Sequence, residues 1–136
     1  MQNRGWKQDY TIPIRYWTSR DDRDWKKTLI THAVIYTHDS STRLFTGGNP
    51  YSGGLRKIGK VKIGNNVFIG HGAVILPGIT IGDYSIIGVN AVVTRDIPPN
   101  TVAGGIPAKK ICTTKEYIEK LKRSGKYERL KLKKQK

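Results

Sequence analysis

Residues 61–94 read VKIGNNVFIGHGAVILPGITIGDYSIIGVNAVVT, and this stretch decides the fold because it repeats every six residues. An aliphatic side chain returns at each sixth position without a break: Ile63, Ile69, Ile75, Ile81, Ile87 and Val93. The residue two places earlier is small or apolar each time: Val61, Val67, Ala73, Ile79, Ser85 and Ala91. Neither a helix of about 3.6 residues per turn nor a plain strand alternation produces such a period.

The six-residue period predicts short strands separated by sharp corners. In a strand, residues i and i−2 point to the same face, so each aliphatic residue and its partner should both point inward. Glycine follows four of the six aliphatic residues, which indicates corners where a Cβ would be awkward. Three such strands make one triangular coil, and stacked coils bury a continuous aliphatic core.

The repeat also organises the rest of the chain. Leu29 and Ile35 are six residues apart and predict an earlier coil. A polar, glycine-rich stretch at 40–57 is expected to be a loop that leaves this coil. We therefore divide the chain into a divergent segment at 1–28, a β-helix domain at 29–111 with its extruded loop, and a basic helical tail at 112–136.

Two features are predicted for the end of the chain. Thr113 stands three residues before Glu116, the spacing of a capping box, and should start a helix that Gly125 ends. A second, weaker helix is expected at 126–132. Before this tail, Val102 and Ile106 are expected to close the open end of the core.

Composition and charge limit the possible functions. The chain has 136 residues, a formal net charge of +15 and one cysteine, which excludes a multi-cysteine metal site. Without a signal or membrane-spanning pattern, a cytoplasmic protein is expected. Residues 115–136 hold ten Lys or Arg and three Glu. This tail predicts weak attraction to anionic surfaces and no specific nucleic-acid binding, because it lacks interleaved aromatic residues.

The motifs resemble a known family. GNNVFIGHGAVILPGITIGDYSIIGVNAVVTRDIPPNTVAGGIPAKKI, residues 64–111, and IYTHDSST, residues 35–42, are similar to hexapeptide-repeat acetyltransferases, in the branch that acetylates maltose, galactosides and polysaccharides. The resemblance covers about residues 29–122. It implies an all-β fold, a left-handed parallel β-helix with a C-terminal α-helix. It also implies a homotrimer with active sites between subunits, and acetyl transfer from acetyl-CoA.

The resemblance implies one catalytic residue. His38 matches the histidine that acts as general base in the family. An alcohol is a poor nucleophile at neutral pH, and an imidazole whose ordinary pKa is about 6.5 suits the removal of its proton. We expect His38 to lie at a corner of the coil, facing a cleft.

The resemblance also implies residues that bind acetyl-CoA, which would be a co-substrate, and no metal is expected. Gly70, His71 and Val89 match positions along the pantetheine arm, and for His71 and Val89 the implied contact is through the backbone. Thr94 and Arg95 match a pair beside the arm and its phosphates, and Lys109 matches a residue that contacts the nucleotide phosphates. Cations along one groove suit an anionic coenzyme.

Three functions are therefore carried forward from the sequence. The first is an O-acetyltransferase that acts on a sugar or polysaccharide hydroxyl. The second is an N-acetyltransferase that acts on an amino sugar or small amine. The third is a trimeric β-helix scaffold without catalytic activity. A zinc enzyme on the same scaffold is disfavoured, because the three histidines lack the spacing of a metal site.

Overall fold

The computed structural model describes residues 28–49 and 51–131. Apart from Thr28, the divergent segment predicted at 1–28 lies outside the described residues, as do 132–136 at the end of the tail. Within the described chain, most strands are only two residues long. They are β1 (Leu29–Ile30), β2 (Val34–Ile35), β3 (His38–Asp39), β4 (Lys57–Ile58), β5 (Lys62–Ile63), β6 (Phe68–Ile69), β7 (Val74–Ile75), β8 (Thr80–Ile81), β9 (Ile86–Ile87), β10 (Val92–Val93), β11 (Thr101–Gly104) and β12 (Lys109–Thr113).

The strands stack into the three faces of a prism. The first face carries β1, β6, β9 and β11 in parallel, and the second carries β2, β7 and β10. The third face carries β5 and β8, and Ile97 continues it through a parallel bridge to Ile81. Each of these pairs aligns one inward aliphatic residue with the next, as Ile69 aligns with Ile87. The predicted left-handed parallel β-helix is confirmed.

The six-residue pattern marks the core. All twelve positions of the pattern are buried, and the most exposed of them, Ile63, is only 7% exposed. Ser85 is the polar member of the set, and its hydroxyl donates to the carbonyl of Pro98 at 3.0 Å. This bond satisfies a hydroxyl that would otherwise be costly to bury.

The corner glycines are needed for close packing between coils. A Cβ on Gly70 would lie 2.7 Å from the backbone nitrogen of Val89 in the next coil, which no real contact allows. The left-handed backbone conformation occurs two residues later in each turn, at Asn66, Gly72, Gly78, Tyr84 and Asn90. Asparagine and glycine adopt this conformation most readily.

The upstream coil exists, but its predicted register is wrong by one residue. Ile30 is buried and aligns with Ile69, whereas Leu29 is 53% exposed. Ile35 packs against the core, as expected. The turn between Ile30 and Ile35 is one residue shorter than the turns stacked on it, and His32 takes the left-handed conformation there, with φ of 44°. Because Leu29 and Ile30 are both apolar, the sequence did not reveal the shorter turn.

A long loop leaves the prism between the second and third faces. Strands β3 and β4 pair in an antiparallel ribbon at its base, with His38 opposite Ile58 and Asp39 opposite Lys57. Beyond the ribbon, a short 3₁₀ helix spans Ser41–Phe45. The amide of Gly59 donates to the carbonyl of Thr37 at 2.9 Å, which joins the two ends of the loop.

The end of the prism is closed by β12, which returns antiparallel to β11. Val102 is buried there, as predicted, but Ile106 is 75% exposed, so its predicted role in closing the core is wrong. Ile106 precedes Pro107 in the turn between β11 and β12, outside the register of the walls.

One helix follows the prism, α1 (Thr114–Ser124). Its predicted capping box is present, because Thr113 and Glu116 each accept a hydrogen bond from the other's backbone amide. Gly125, with φ of 64°, ends it. The second helix expected at 126–132 is wrong for 126–131, which form no helix. The left-handed Gly125 turns the chain away from the helix axis.

Candidate active site

The corners of the prism form edges, and two of them carry the predicted site residues. The loop edge joins the second and third faces and contains residues 36–38, 76–78 and 94–96. The neighbouring edge joins the first and second faces and contains residues 31–33, 70–72 and 88–90. The position of each predicted residue follows from the edge on which its turn lies.

His38 lies on the loop edge, where the loop leaves the prism. Its side chain is half-buried at the start of β3. It lines a cleft of about 330 Å³ together with five neighbours: Tyr36, Asp39, Ser40, Leu76 and Pro77. The predicted base therefore faces a cleft large enough for a small polar molecule to reach it.

Asp39 stabilises the turn beside this cleft. Its Oδ1 accepts a hydrogen bond from the amide of Ser41 at 2.8 Å. The hydrogen bonds from Ser41, and then the charge of Lys57, lower the pKa of the Asp39 carboxyl below its ordinary value. An ionised Asp39 therefore fixes the start of the 3₁₀ helix and places a negative charge next to His38.

A second, larger cleft lies further along the prism. It has a volume of about 500 Å³ and brings together three predicted coenzyme-binding residues, Thr94, Arg95 and Lys109. Lys110, which the sequence analysis did not single out, lines the same cleft. The register of the β11–β12 pairing shifts between Val102 and Ala103, which face Cys112 and Lys110, and no sequence motif predicted this shift.

Both clefts border the loop edge. The residues of Thr94–Asp96 follow β10, and β10 is two strand steps from β2, which precedes His38. With strands about 4.8 Å apart, two steps amount to about 10 Å along the prism axis. The turn of Thr94–Asp96, which lines the basic cleft, and the turn that carries His38 therefore lie on the same edge, about 10 Å apart along the prism axis.

The other three predicted residues lie on the neighbouring edge. Gly70 is buried and its amide donates to the carbonyl of Ile87 at 2.8 Å, within the wall. His71 and Val89 are exposed in stacked turns, and the ring of His71 lies 5.2 Å from that of His32. The chain does not bring these residues to the edge that carries His38. Their spacing could have shown this, because His71 and Val89 are one full coil apart while Thr94 falls on the next corner.

No group of three or more metal-ligating side chains occurs within residues 28–49 and 51–131. No helix in the described part has the length and apolar character needed to span a bilayer.

The comparisons with known proteins agree with the fold. Residues 60–95 match the family model of the bacterial transferase hexapeptide, six repeats. Galactoside O-acetyltransferase of Escherichia coli K12 is 52% identical over an alignment that covers 47% of this chain and 34% of that relative. Protein CapG of Staphylococcus aureus is 38% identical over 74% of this chain and 56% of its own length.

A solved structure is also similar. It is a galactoside acetyltransferase in complex with coenzyme A, with a TM-score of 0.53 and 35% identity, and the match covers 68% of this chain and 44% of that one. This chain thus spans between about a third and just over half of the length of these relatives.

Proposed function

We propose that this member of the hexapeptide-repeat acetyltransferase family transfers acetyl from acetyl-CoA to a hydroxyl of a sugar or polysaccharide. One observation carries the proposal. Two clefts follow each other along the loop edge, a small one that contains His38 and a larger one that contains three cations. A coenzyme with a thioester at one end of an extended arm and phosphates at the other matches that order. The similar galactoside acetyltransferase bound to coenzyme A supports the same assignment.

Arg95, Lys109 and Lys110 suit the phosphate end. All three are exposed cations on the wall of one cleft. The acid in this cleft, Asp96, accepts a hydrogen bond from the amide of Thr80 at 2.8 Å, so its carboxylate is engaged in the wall. Arginine and lysine in such a groove provide charge-assisted hydrogen bonds to phosphate oxygens. These residues would hold the nucleotide end of the coenzyme, with Thr94 beside the arm.

His38 would remove the proton from the acceptor hydroxyl. Bound acetyl-CoA supplies the activated acyl group, a thioester. The half-buried position of His38 limits the water around it while its ring still faces the cleft. A positioned base of this kind contributes a factor of about 10² to 10⁴ to the rate. The hydroxyl would attack the thioester carbonyl directly, the C–S bond would break, and the coenzyme would leave as a thiol that takes up the proton removed by His38. With both partners held in place, no covalent intermediate on the protein is needed.

The site would be completed by a second copy of the chain. His71 and Val89 lie on a different edge from His38, so a site that used all the predicted residues would join the loop edge of one copy to the neighbouring edge of another. This arrangement agrees with the homotrimer that the sequence motifs imply. In it, backbone amides near residues 71 and 89 would contact the pantetheine arm and the developing oxyanion.

The proposal is tested by thiol release. The purified chain is mixed with acetyl-CoA and a panel of sugars and amino sugars, and the free thiol is measured with a chromogenic reagent. We expect release that depends on a hydroxyl acceptor. We expect His38→Ala and His38→Gln to lower kcat by about 10² to 10⁴ with an unchanged unfolding midpoint. The matched control is Lys122→Ala on α1, which should behave as the wild type.

Three outcomes would contradict the proposal. Activity retained in His38→Gln would mean that the side chain only positions the acceptor. Release that requires an amine would replace O-acetylation by N-acetylation. No release with any acceptor, together with no binding of coenzyme A in a calorimeter, would favour the non-catalytic scaffold.

A further inference from the structure

A second group of cations lies at the opposite end of the loop edge from the basic cleft. Residues 40–62 contain five Lys or Arg and no Asp or Glu. They are Arg43, Arg56, Lys57, Lys60 and Lys62. A stretch with this charge at the mouth of a cleft creates a positive potential there that attracts anions.

Two of these cations are close in the backbone to residues of the cleft of His38. Lys57 is the register partner of Asp39, one residue from His38 on the antiparallel ribbon. Lys60 follows Gly59, which packs against the backbone of Pro77 and Gly78 in the turn that forms the cleft wall. Both lysines are exposed. Each lysine is therefore next to a residue that lines the candidate acceptor cleft or packs against its wall.

The other members contribute less directly. The guanidinium Nε of Arg43 donates to the carbonyl of Gly53 at 3.0 Å, so part of that side chain stabilises the loop. Lys62 points outward from the third face of the prism, in β5. Arg56 precedes Lys57 and is exposed. The argument therefore depends on Lys57 and Lys60, with Arg56 in support.

These cations are not needed for the phosphates of the coenzyme. Arg95, Lys109 and Lys110 already surround the other cleft, about 10 Å further along the axis. The thioester end of the coenzyme, which would lie near His38, carries no charge. A positive entrance at that end therefore matches a charge on the other substrate.

We propose that the acceptor is an anionic sugar whose carboxylate or phosphate is bound by Lys57 and Lys60. The inference rests on the proposed function and specifies its substrate class. It provides an anionic partner for the cations near the cleft, where Asp39, the acid in the cleft, accepts a hydrogen bond from the amide of Ser41. A neutral sugar would add no counter-charge beyond that of Asp39, the register partner of Lys57.

The test is a binding comparison between matched sugars at saturating coenzyme A, which fills the phosphate cleft. Galacturonic acid is compared with galactose, and glucose 6-phosphate with glucose, by calorimetry. We expect at least one charged sugar to bind about tenfold or more tightly than its neutral partner, a difference of about 1.4 kcal/mol. The preference should weaken as salt is raised. A preference in the galacturonic acid pair indicates a site for a carboxylate, and a preference in the glucose 6-phosphate pair indicates a site for a phosphate.

Variants assign the anion to its site. The double variant Lys57→Ala/Lys60→Ala should lose the preference, and the matched double variant Lys120→Ala/Lys122→Ala on α1 should keep it. Equal binding within both pairs, or no binding of the charged sugars, would overturn the proposal. So would a preference that survives the first double variant but disappears in Lys109→Ala, because the anion would then occupy the coenzyme cleft.

The same materials separate this inference from the proposed function. If the charged sugars bind through Lys57 and Lys60 but no acceptor supports thiol release, the acetyltransferase assignment fails and the anion site stands. If thiol release is equally efficient with neutral sugars and is unchanged in Lys57→Ala/Lys60→Ala, the enzyme assignment stands and the anion site fails.

Discussion

The wall of the prism and the loop that leaves it are built on different principles. In the wall, each inward position is buried and repeats its neighbour one coil away, as Ile69 repeats in Ile87. In the loop, Phe45 and Tyr51 are 87% and 93% exposed, and the path is fixed by single hydrogen bonds from hydroxyls and a guanidinium. The wall therefore provides stability and fixes the positions of the turns. The loop provides side chains that the repeated coils do not contain.

The largest effect is expected in the wall. Ile87→Ala removes a side chain with no solvent exposure from the centre of the core, and should lower the free energy of unfolding by about 2–5 kcal/mol. The measurement is denaturant unfolding at a fixed protein concentration, since an oligomer's stability depends on that concentration.

The loop gives the control for this prediction. Leu55 is 70% exposed, so Leu55→Ala should leave the unfolding free energy within about 0.5 kcal/mol of wild type. Equal losses at Leu55 and Ile87 would show that the loop is packed in solution, and would remove the contrast between the two regions.

A smaller effect is expected inside the loop, and it should be functional. Gly54 has φ of 73°, and a Cβ there would overlap the backbone of Arg43. Gly54→Ala therefore forces the loop to rearrange, because the Cβ overlaps Arg43 in addition to the cost of about 1–2 kcal/mol for a non-glycine residue in the left-handed region. We expect the acceptor KM to rise severalfold, while the KM for acetyl-CoA and the unfolding midpoint of the wall stay unchanged.

Gly47→Ala is the matched control for this loop variant. Gly47 also has a positive φ, 86°, but its Cβ would meet nothing within 4 Å. Gly47→Ala therefore introduces the strain of a positive φ without the overlap with the backbone of Arg43. If both variants change the KM equally, the contact with Arg43 does not fix the loop.

The smallest effect concerns α1, where the six-residue pattern has ended. The amide of Thr113 donates to the Glu116 carboxylate at 2.8 Å, and this bond lowers the pKa of Glu116 below its ordinary value of 4.5. A carboxyl whose pKa is lower in the folded state stabilises the helix above its unfolded pKa. That contribution is lost as the pH falls through the lowered value.

The helical circular-dichroism signal should therefore weaken as the pH falls below about 4.5, with the transition complete below the lowered pKa. Glu116→Gln is the control, because its amide does not titrate and should remove this step. A step that persists in Glu116→Gln would belong to another carboxyl.

The sequence predicted the wall well because hydrophobic burial itself is periodic there. Each inward residue from Val61 to Val93 is buried as expected. The pattern failed where two apolar residues are adjacent, because Leu29 and Ile30 are equally suited to the core. The shorter turn that selects Ile30 depends on backbone conformation at His32, which composition does not encode.

The candidate site was only partly predictable for the same reason. Motifs placed His38 at a corner beside a loop, and the structure has a cleft there. The other wall of the cleft comes from Leu76 and Pro77, about forty residues later, through the stacking of coils. Short sequence motifs do not reveal such contacts, although counting residues in full coils does.

The shortened turn at His32 and the long excursion after Tyr36 lie on consecutive corners of the same coil, and the strands above them keep their alignment. Insertions and deletions are thus absorbed at the vertices. A segment from a different chain could replace everything between Asp39 and Lys57 as a cassette while the ribbon and His38 stay in place, which makes this vertex the natural place to redesign what the molecule recognises.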